Sequence, residues 1–144
     1  LVGISDGNET YITFQMTYKE AINALEIAHI RKKECPVVWN EKIGYWKLLK
    51  DMSQQQQCKE FVSKKIDALI QYDKENESDL IETLEALVNH LGARNITATS
   101  LYLHRNTLMY RIKKIENLTG YDLSDPESIL ELSLALRLNK FMNH

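Results

Sequence analysis

Asn95–Gly120, NITATSLYLHRNTLMYRIKKIENLTG, decides how this chain is read. It divides into two short helices with a turn between them, and the second helix is basic. No Asp or Glu occurs from Ala86 through Ile115, an interval that carries Arg94, Arg105, Arg111, Lys113 and Lys114. A chain that is mildly acidic overall has cleared negative charge from one window. Phosphate binding asks for this, because each Lys or Arg set on DNA releases condensed counterions. The stretch therefore reads as a helix-turn-helix unit facing nucleic acid.

The spacing predicts a first helix from Ile96 to about Leu103, capped by Asn95, with Ala98 and Leu101 on one face. A small residue at Ala98 lets a second helix approach closely. Tyr102 and Leu103 lead into the turn. His104 caps the next helix through a ring nitrogen, and that helix runs from Arg105 to about Leu118 and ends at Gly120. At about 100° per residue, Leu108, Ile112 and Ile115 fall in one narrow arc, the core face. Asn106, Tyr110, Lys113 and Lys114 lie opposite, with Thr107 near the edge. Arg105 and Arg111 flank the core arc. Asn and Arg pair with base edges in a major groove, whereas Lys, Thr and Tyr suit phosphate. Asn106 and Thr107, at the helix start, are best placed to reach bases. The bland alternative is a solvated basic helix in an all-helical bundle.

At 144 residues the chain has room for one ordinary domain or two small units. A hydrophobic content of 44% with 26% charged residues is that of a globular chain, and two Pro with five Gly argue against a loop-rich all-β fold. Residues 1–75 carry eleven positive and eleven negative groups, and residues 76–144 carry seven and nine. Neither half is basic as a whole, so any nucleic-acid footprint is local. Cys35 and Cys58 read as reduced intracellular thiols, not as a disulfide or a metal site. No apolar run approaches membrane-spanning length. The start without Met, in what reads as mid-strand, suggests a fragment of a longer protein.

Working outward, Leu1–Ser5 reads as the end of a strand, Asp6–Glu9 as a turn, and Tyr11, Thr13 and Phe14 as the start of another strand. Thr17 and Glu20 have capping-box spacing, which predicts a helix from Tyr18 to about Lys33 with Ala21, Ala24, Leu25, Ala28 and Ile22 as its apolar positions. Arg31, Lys32 and Lys33 read as favourable charge at its C-terminus. Pro36 stops it, and Val37–Trp39 is a short strand. Lys42–Lys50 reads as a helix with Ile43, Trp46 and Leu49 on one face. Tyr45 and Trp46 read as buried anchors in preference to a base-stacking pair. Gln54–Gln57 open a helix to about Tyr72 with Phe61, Val62, Ile66, Leu69 and Ile70 as its stripe. Asp73–Asp79 is an acidic break and the expected boundary, with Ser78 or Asp79 capping the next helix. Leu80, Leu84, Leu87, Val88 and Leu91 give that helix its apolar face, and Gly92 ends it. Asp125, Pro126 and Glu127 read as cap, first position and first-turn acid of a last helix. Ile129, Leu130, Leu132, Leu134, Leu136, Leu138 and Phe141 make it apolar on most of its circumference, so neighbours or a partner subunit must wrap it.

These residues resemble a known family. Gly92–Leu138 looks like the C-terminal DNA-binding domain of PucR/CdaR-type bacterial transcriptional regulators. The resemblance is carried by His104-Arg105-Asn106-Thr107-Leu108, Tyr110-Arg111-Ile112, Lys114-Ile115, Leu118-Thr119-Gly120, Asp122-Leu123, Asp125-Pro126 and Leu134-Ala135-Leu136-Arg137-Leu138. Upstream, Tyr72-Asp73 and Leu80–Leu84 also match. The first 70 residues resemble, more loosely, the end of the GGDEF-like domain that precedes this reader in CdaR-type members. That part rests on Val2–Ser5, Tyr18, Glu20-Ala21, Ala24-Leu25 and Leu48-Leu49. No Gly-Gly pair occurs, so nucleotide cyclase chemistry has no support. Met109 stands where the family often has a basic residue. Arg94 stands at a normally apolar position, where it either swings toward DNA or loosens the packing below it. Arg111 braces the fold as much as it touches DNA.

The expectation is a mainly α chain: a C-terminal helix-turn-helix bundle preceded by a small α/β remnant and a linking helix. Residues 1–73 are the end of the GGDEF-like domain plus that helix, and residues 74–144 are the DNA-binding domain. The resemblance implies double-stranded DNA as partner, with contacts from His104, Arg105, Asn106, Thr107, Tyr110, Arg111, Lys113 and Lys114. It also implies a homodimer, an effector sensed upstream, a cytoplasmic location and no cofactor. The competing reading is a helical dimerisation or signalling module whose basic helix meets an acidic protein. An enzyme has little support: His29, His90, His104 and His144 show no metal-ligand spacing, and phosphate-binding glycine loops are absent.

Overall fold

The structure, a computed structural model, describes residues 1–6, 14–31 and 37–142. Among these the fold is mainly α, with seven α-helices and one two-stranded sheet. Packing divides the chain into two compact units, Leu1–Gln55 with Lys140–His144, and Gln56–Asn139.

In the first unit, β1 (Val2–Ile4) pairs in parallel with β2 (Val37–Trp39), Val2 opposite Val37 and Ile4 opposite Trp39. Both strands pack on α1 (Phe14–Ile30), which buries Ala24, Ile27 and Ala28. Gly3 permits the seat: a Cβ there would lie 2.2 Å from the Leu25 backbone nitrogen and 2.5 Å from the Ala21 carbonyl oxygen. A single turn of 3-10 helix at Asn40–Lys42 is tied back to β1 by Asp6, whose carboxylate accepts from Asn40 Nδ2 at 2.8 Å and from the Glu41 backbone N–H at 3.1 Å. Helix α2 (Tyr45–Ser53) follows, with Ile43, Trp46 and Leu49 buried as the spacing predicts. The Trp46 ring meets Phe141 at a centroid distance of 5.9 Å and carries the Arg31 guanidinium over its face at 5.7 Å.

Several expectations are corrected here. Phe14 opens a helix, not a strand, and α1 starts before Thr17, so Thr17 and Glu20 stand inside it and form no capping box. Ile22 and Leu25 are exposed and Ile27 is the buried residue, because Gly3 brings β1 against the helix backbone at Ala21 and Leu25. Helix α2 begins at Tyr45 and not at Lys42, since Gly44 adopts φ +50 and breaks the run. Tyr45 stacks on Trp46 at 5.4 Å but is itself exposed. Tyr11, Thr13, Lys32, Lys33, Cys35 and Pro36 lie outside the described residues.

The second unit contains α3 (Gln56–Asn76), α4 (Leu80–Asn89), α5 (Arg94–Ser100), α6 (Arg105–Thr119) and most of α7 (Pro126–Met142). Its core is aliphatic: Val62, Ile66 and Leu69 of α3, Leu80, Leu84, Leu87 and Val88 of α4, Leu108, Ile112 and Ile115 of α6, and Leu132, Ala135, Leu136 and Leu138 of α7. Helix α3 continues through Asp73, where a break was expected. Nothing in Asp73–Asn76 forbids a helix, and the Asn76 amide donates to the Tyr72 carbonyl at 2.9 Å. The chain turns instead at Glu77, φ +49. Asp79 takes the N-cap position of α4, but its side chain makes no capping bond. Asp73, on the last turns of α3, accepts the backbone N–H of Leu80 at Oδ1 (2.8 Å) and of Ile81 at Oδ2 (2.8 Å), and also the Ser78 hydroxyl. One carboxylate satisfies two free donors of the next helix and opposes the positive end of its dipole.

Helix α4 ends before Leu91, which takes φ +51 and is 87% exposed, not buried; the left-handed pair Leu91–Gly92 turns its side chain away. Helix α5 begins at Arg94 with Ala93 in the cap position, so Asn95 does not cap it. Asp125 caps α7 as read, accepting the Ser128 backbone N–H and hydroxyl, each at 2.9 Å. Those two donors, the backbone one first, hold its carboxyl below the ordinary value of 3.8. Along α7, Leu130 is exposed and Ile129 and Leu134 are half-buried, while Leu132, Leu136, Leu138 and Phe141 are buried.

Removing the Asp73 carboxylate leaves the start of α4 uncapped. Asp73→Ala is expected to lower stability by about 1–2 kcal/mol in urea unfolding, the range for an N-cap loss. An unchanged midpoint would show that the α3–α4 junction does not depend on it.

Candidate nucleic-acid interface

The α5–turn–α6 arrangement is built from a few local constraints. Thr97 and Ala98 are buried beneath it, and the Thr97 hydroxyl returns to the Ala93 carbonyl at 2.9 Å. The turn is closed by the Tyr102 N–H donating to the Thr99 carbonyl at 3.1 Å and the Leu103 N–H to the Ala98 carbonyl at 2.9 Å. His104 has extended backbone, and its Nδ1 accepts the Asn106 N–H at 3.2 Å. The ring nitrogen is the cap, as the sequence suggested. At the other end Gly120, φ +75, donates its N–H to the Glu116 carbonyl at 2.8 Å and closes the helix.

Leu108, Ile112 and Ile115 are at most 1% exposed, so they fix the rotation of α6 about its axis. This helix packs on α3, α4 and α5. Its other face is set by that choice. His104, Arg105, Asn106, Thr107, Tyr110 and Lys113 are all exposed. Four are on the first turn or immediately before it, and Tyr110 and Lys113 continue along the helix.

Two residues of the expected contact set are occupied within the chain. Arg111 is half-buried, its Nη1 donating to the Thr83 hydroxyl at 3.0 Å and its Nη2 pairing with Asp79 Oδ2 at 3.1 Å. The Thr83 hydroxyl donates in turn to the Asp79 carbonyl at 2.7 Å. Lys114 is half-buried, with its ammonium 4.5 Å from the centre of the Tyr72 ring. Arg94 lies alongside α6, Nη1 4.0 Å from the Met109 sulfur. Sequence reasoning missed Asp79, Thr83 and Tyr72 as supports. The signal was weak: Thr83 is the polar member of an otherwise aliphatic buried set on α4.

Residues 80–138 match the PucR C-terminal helix-turn-helix domain. The match covers α4 to most of α7 and includes every residue of the exposed face. Over 140 residues the chain is 29% identical to the proline-responsive transcriptional activator PutR of Bacillus subtilis, covering 96% of this chain and 34% of that protein. Over 141 residues it is 30% identical to the purine catabolism regulatory protein of the same organism, covering 98% of this chain and 26% of that one. Similarity to the carbohydrate diacid regulator of Escherichia coli is 39% identity over 66 residues, covering 46% of this chain and 17% of that protein. The chain thus spans about a third or less of these relatives.

Arg111 supplies a test of how α6 is braced against α4. Arg111→Ala should lower stability by about 1 kcal/mol, the scale of a charge-assisted bond discounted for partial exposure. Arg111→Lys should not restore it, because one ammonium lacks the fork that reaches both Thr83 and Asp79. Full rescue by lysine in a thermal melt would contradict the two-point brace.

Proposed function

We propose that residues 74–144 are the sequence-specific DNA-binding module of a bacterial transcriptional regulator of the PucR/CdaR type, with residues 105–118 as the recognition helix in the major groove. One observation carries the reading. The burial of Leu108, Ile112 and Ile115 turns Asn106, Thr107, Tyr110 and Lys113 outward, in a window without acidic residues. The match to the helix-turn-helix family and the regulatory names of the relatives support it. Asn106 and Thr107 read base edges from the helix start, and His104, Arg105, Tyr110 and Lys113 hold phosphates. Arg111 and Lys114 contribute positive potential while their main bonds stay inside the chain.

The module acts as a cytoplasmic homodimer that presents two recognition helices to half-sites roughly 34 Å apart. Residues 1–73 are the end of a GGDEF-like domain with its linking helix, and a small-molecule effector is sensed further upstream. No helix among the described residues is long and apolar enough to cross a membrane. No enzymatic step belongs to this reading.

The test compares a duplex selected for tight binding with a random duplex. Asn106→Ala or Thr107→Ala should cost about 1–3 kcal/mol on the selected duplex and far less on the random one. Lys113→Ala should weaken both and reduce the slope of log affinity against log salt by about one. Equal losses on both duplexes for Asn106→Ala would remove its base-reading role.

A further inference from the structure

Tyr102 stands in the turn between α5 and α6 with φ +55, and it is 97% exposed. The φ itself ends α5, since the Tyr102 N–H on Thr99 and the Leu103 N–H on Ala98 form a left-handed helix cap. The cost without a return is that the residue there is an exposed tyrosine. The left-handed region is disfavoured for any residue with a Cβ, and glycine would occupy it freely. An aromatic ring left in water gains nothing from burial. The phenol bonds to no described residue, and only the backbone N–H of Tyr102 is engaged, to Thr99. A tyrosine at a cap position that glycine would fill more cheaply is a reason to look for a function.

Glu77 and Leu91 also have positive φ. Tyr102 differs from both in carrying a phenol donor and in lying two residues before the His104 cap of the recognition helix. The turn is pinned on both sides, by the Leu103 N–H on Ala98 and by the Asn106 N–H on the His104 ring. The backbone that carries the ring is fixed before any partner arrives, so only the two side-chain torsions are left to order on contact. Tyrosine hydroxyls are ordinary donors to phosphate oxygen.

We propose that Tyr102 is a DNA-backbone contact, its phenol donating to a non-bridging phosphate oxygen beside the groove that α6 enters. This rests on the DNA-binding reading above. The contact orients the reader and carries no sequence preference. Because the phenol is neutral, it releases no counterion, which separates it from Lys113.

The experiment measures binding of the full chain to random-sequence duplex DNA across a salt series, with thermal melts of each protein. Tyr102→Phe should weaken binding about three- to tenfold, the effect of one neutral hydrogen bond, with an unchanged salt slope and melting temperature. Tyr102→Gly should bind as weakly as Tyr102→Phe or more so, and melt no lower than the parent. Parent-like affinity for Tyr102→Phe overturns the contact while leaving the DNA-binding reading intact. A fall in melting temperature with Tyr102→Gly assigns the residue to the fold and overturns it too. A parent chain with no salt-dependent DNA binding overturns the underlying reading, and this contact with it.

Discussion

The burial of Leu108, Ile112 and Ile115 is the constraint on which the second unit depends. These side chains leave α6 one orientation about its axis, and each adds a contribution of about 1.5–3 kcal/mol from removing its apolar surface from water. Every statement about the exposed face follows from that. A helix rotated by one residue would turn about 100° and carry Asn106 and Lys113 away from solvent. The same seam explains why α5 has Ala98 at its contact and why Thr97 can be buried, since its hydroxyl is satisfied by the Ala93 carbonyl.

A second layer of polar bonds holds the start of α4 against both α3 and α6. Asp73 reaches forward from α3 to the first amides of α4, which leaves the Asp79 side chain available to Arg111. Thr83, one turn further along, completes the bracket. Tyr72, next to Asp73, carries Lys114 on its ring. The last turns of α3 thus bear on α4 and on α6 at once. This joins the chemistry of α3 to the rigidity of the exposed face, with no residue of that face taking part.

Much of this was legible in the sequence, for reasons that differ by residue. The α6 core arc, the His104 cap and the Gly120 stop were readable because each is a local rule acting over a few residues. Gln56–Asn76 was readable as a helix, but its end was not, since a run of Asp, Lys, Glu and Asn reads equally as a break or as an exposed last turn. The Asp73 cap and the Arg111 bracket are long-range pairings that no local pattern announces. The α1 face was misread for a related reason. A strand lies against its backbone at Gly3, so a helix wheel that assumes contact through side chains chose Leu25 over Ile27. Of the expected contact residues, eight were named and six are exposed; Arg111 and Lys114 differ because their partners come from other helices.

The central claim is that one face of α6, from the His104 cap to Lys113, meets DNA. It is tested most directly by amide chemical-shift perturbation as a duplex is titrated into the labelled protein. The account predicts that the largest shifts fall on residues 102–113, with α4 and the α7 core scarcely affected. Shifts centred instead on the exposed Leu91 and Leu130, with the start of α6 unmoved, would contradict it.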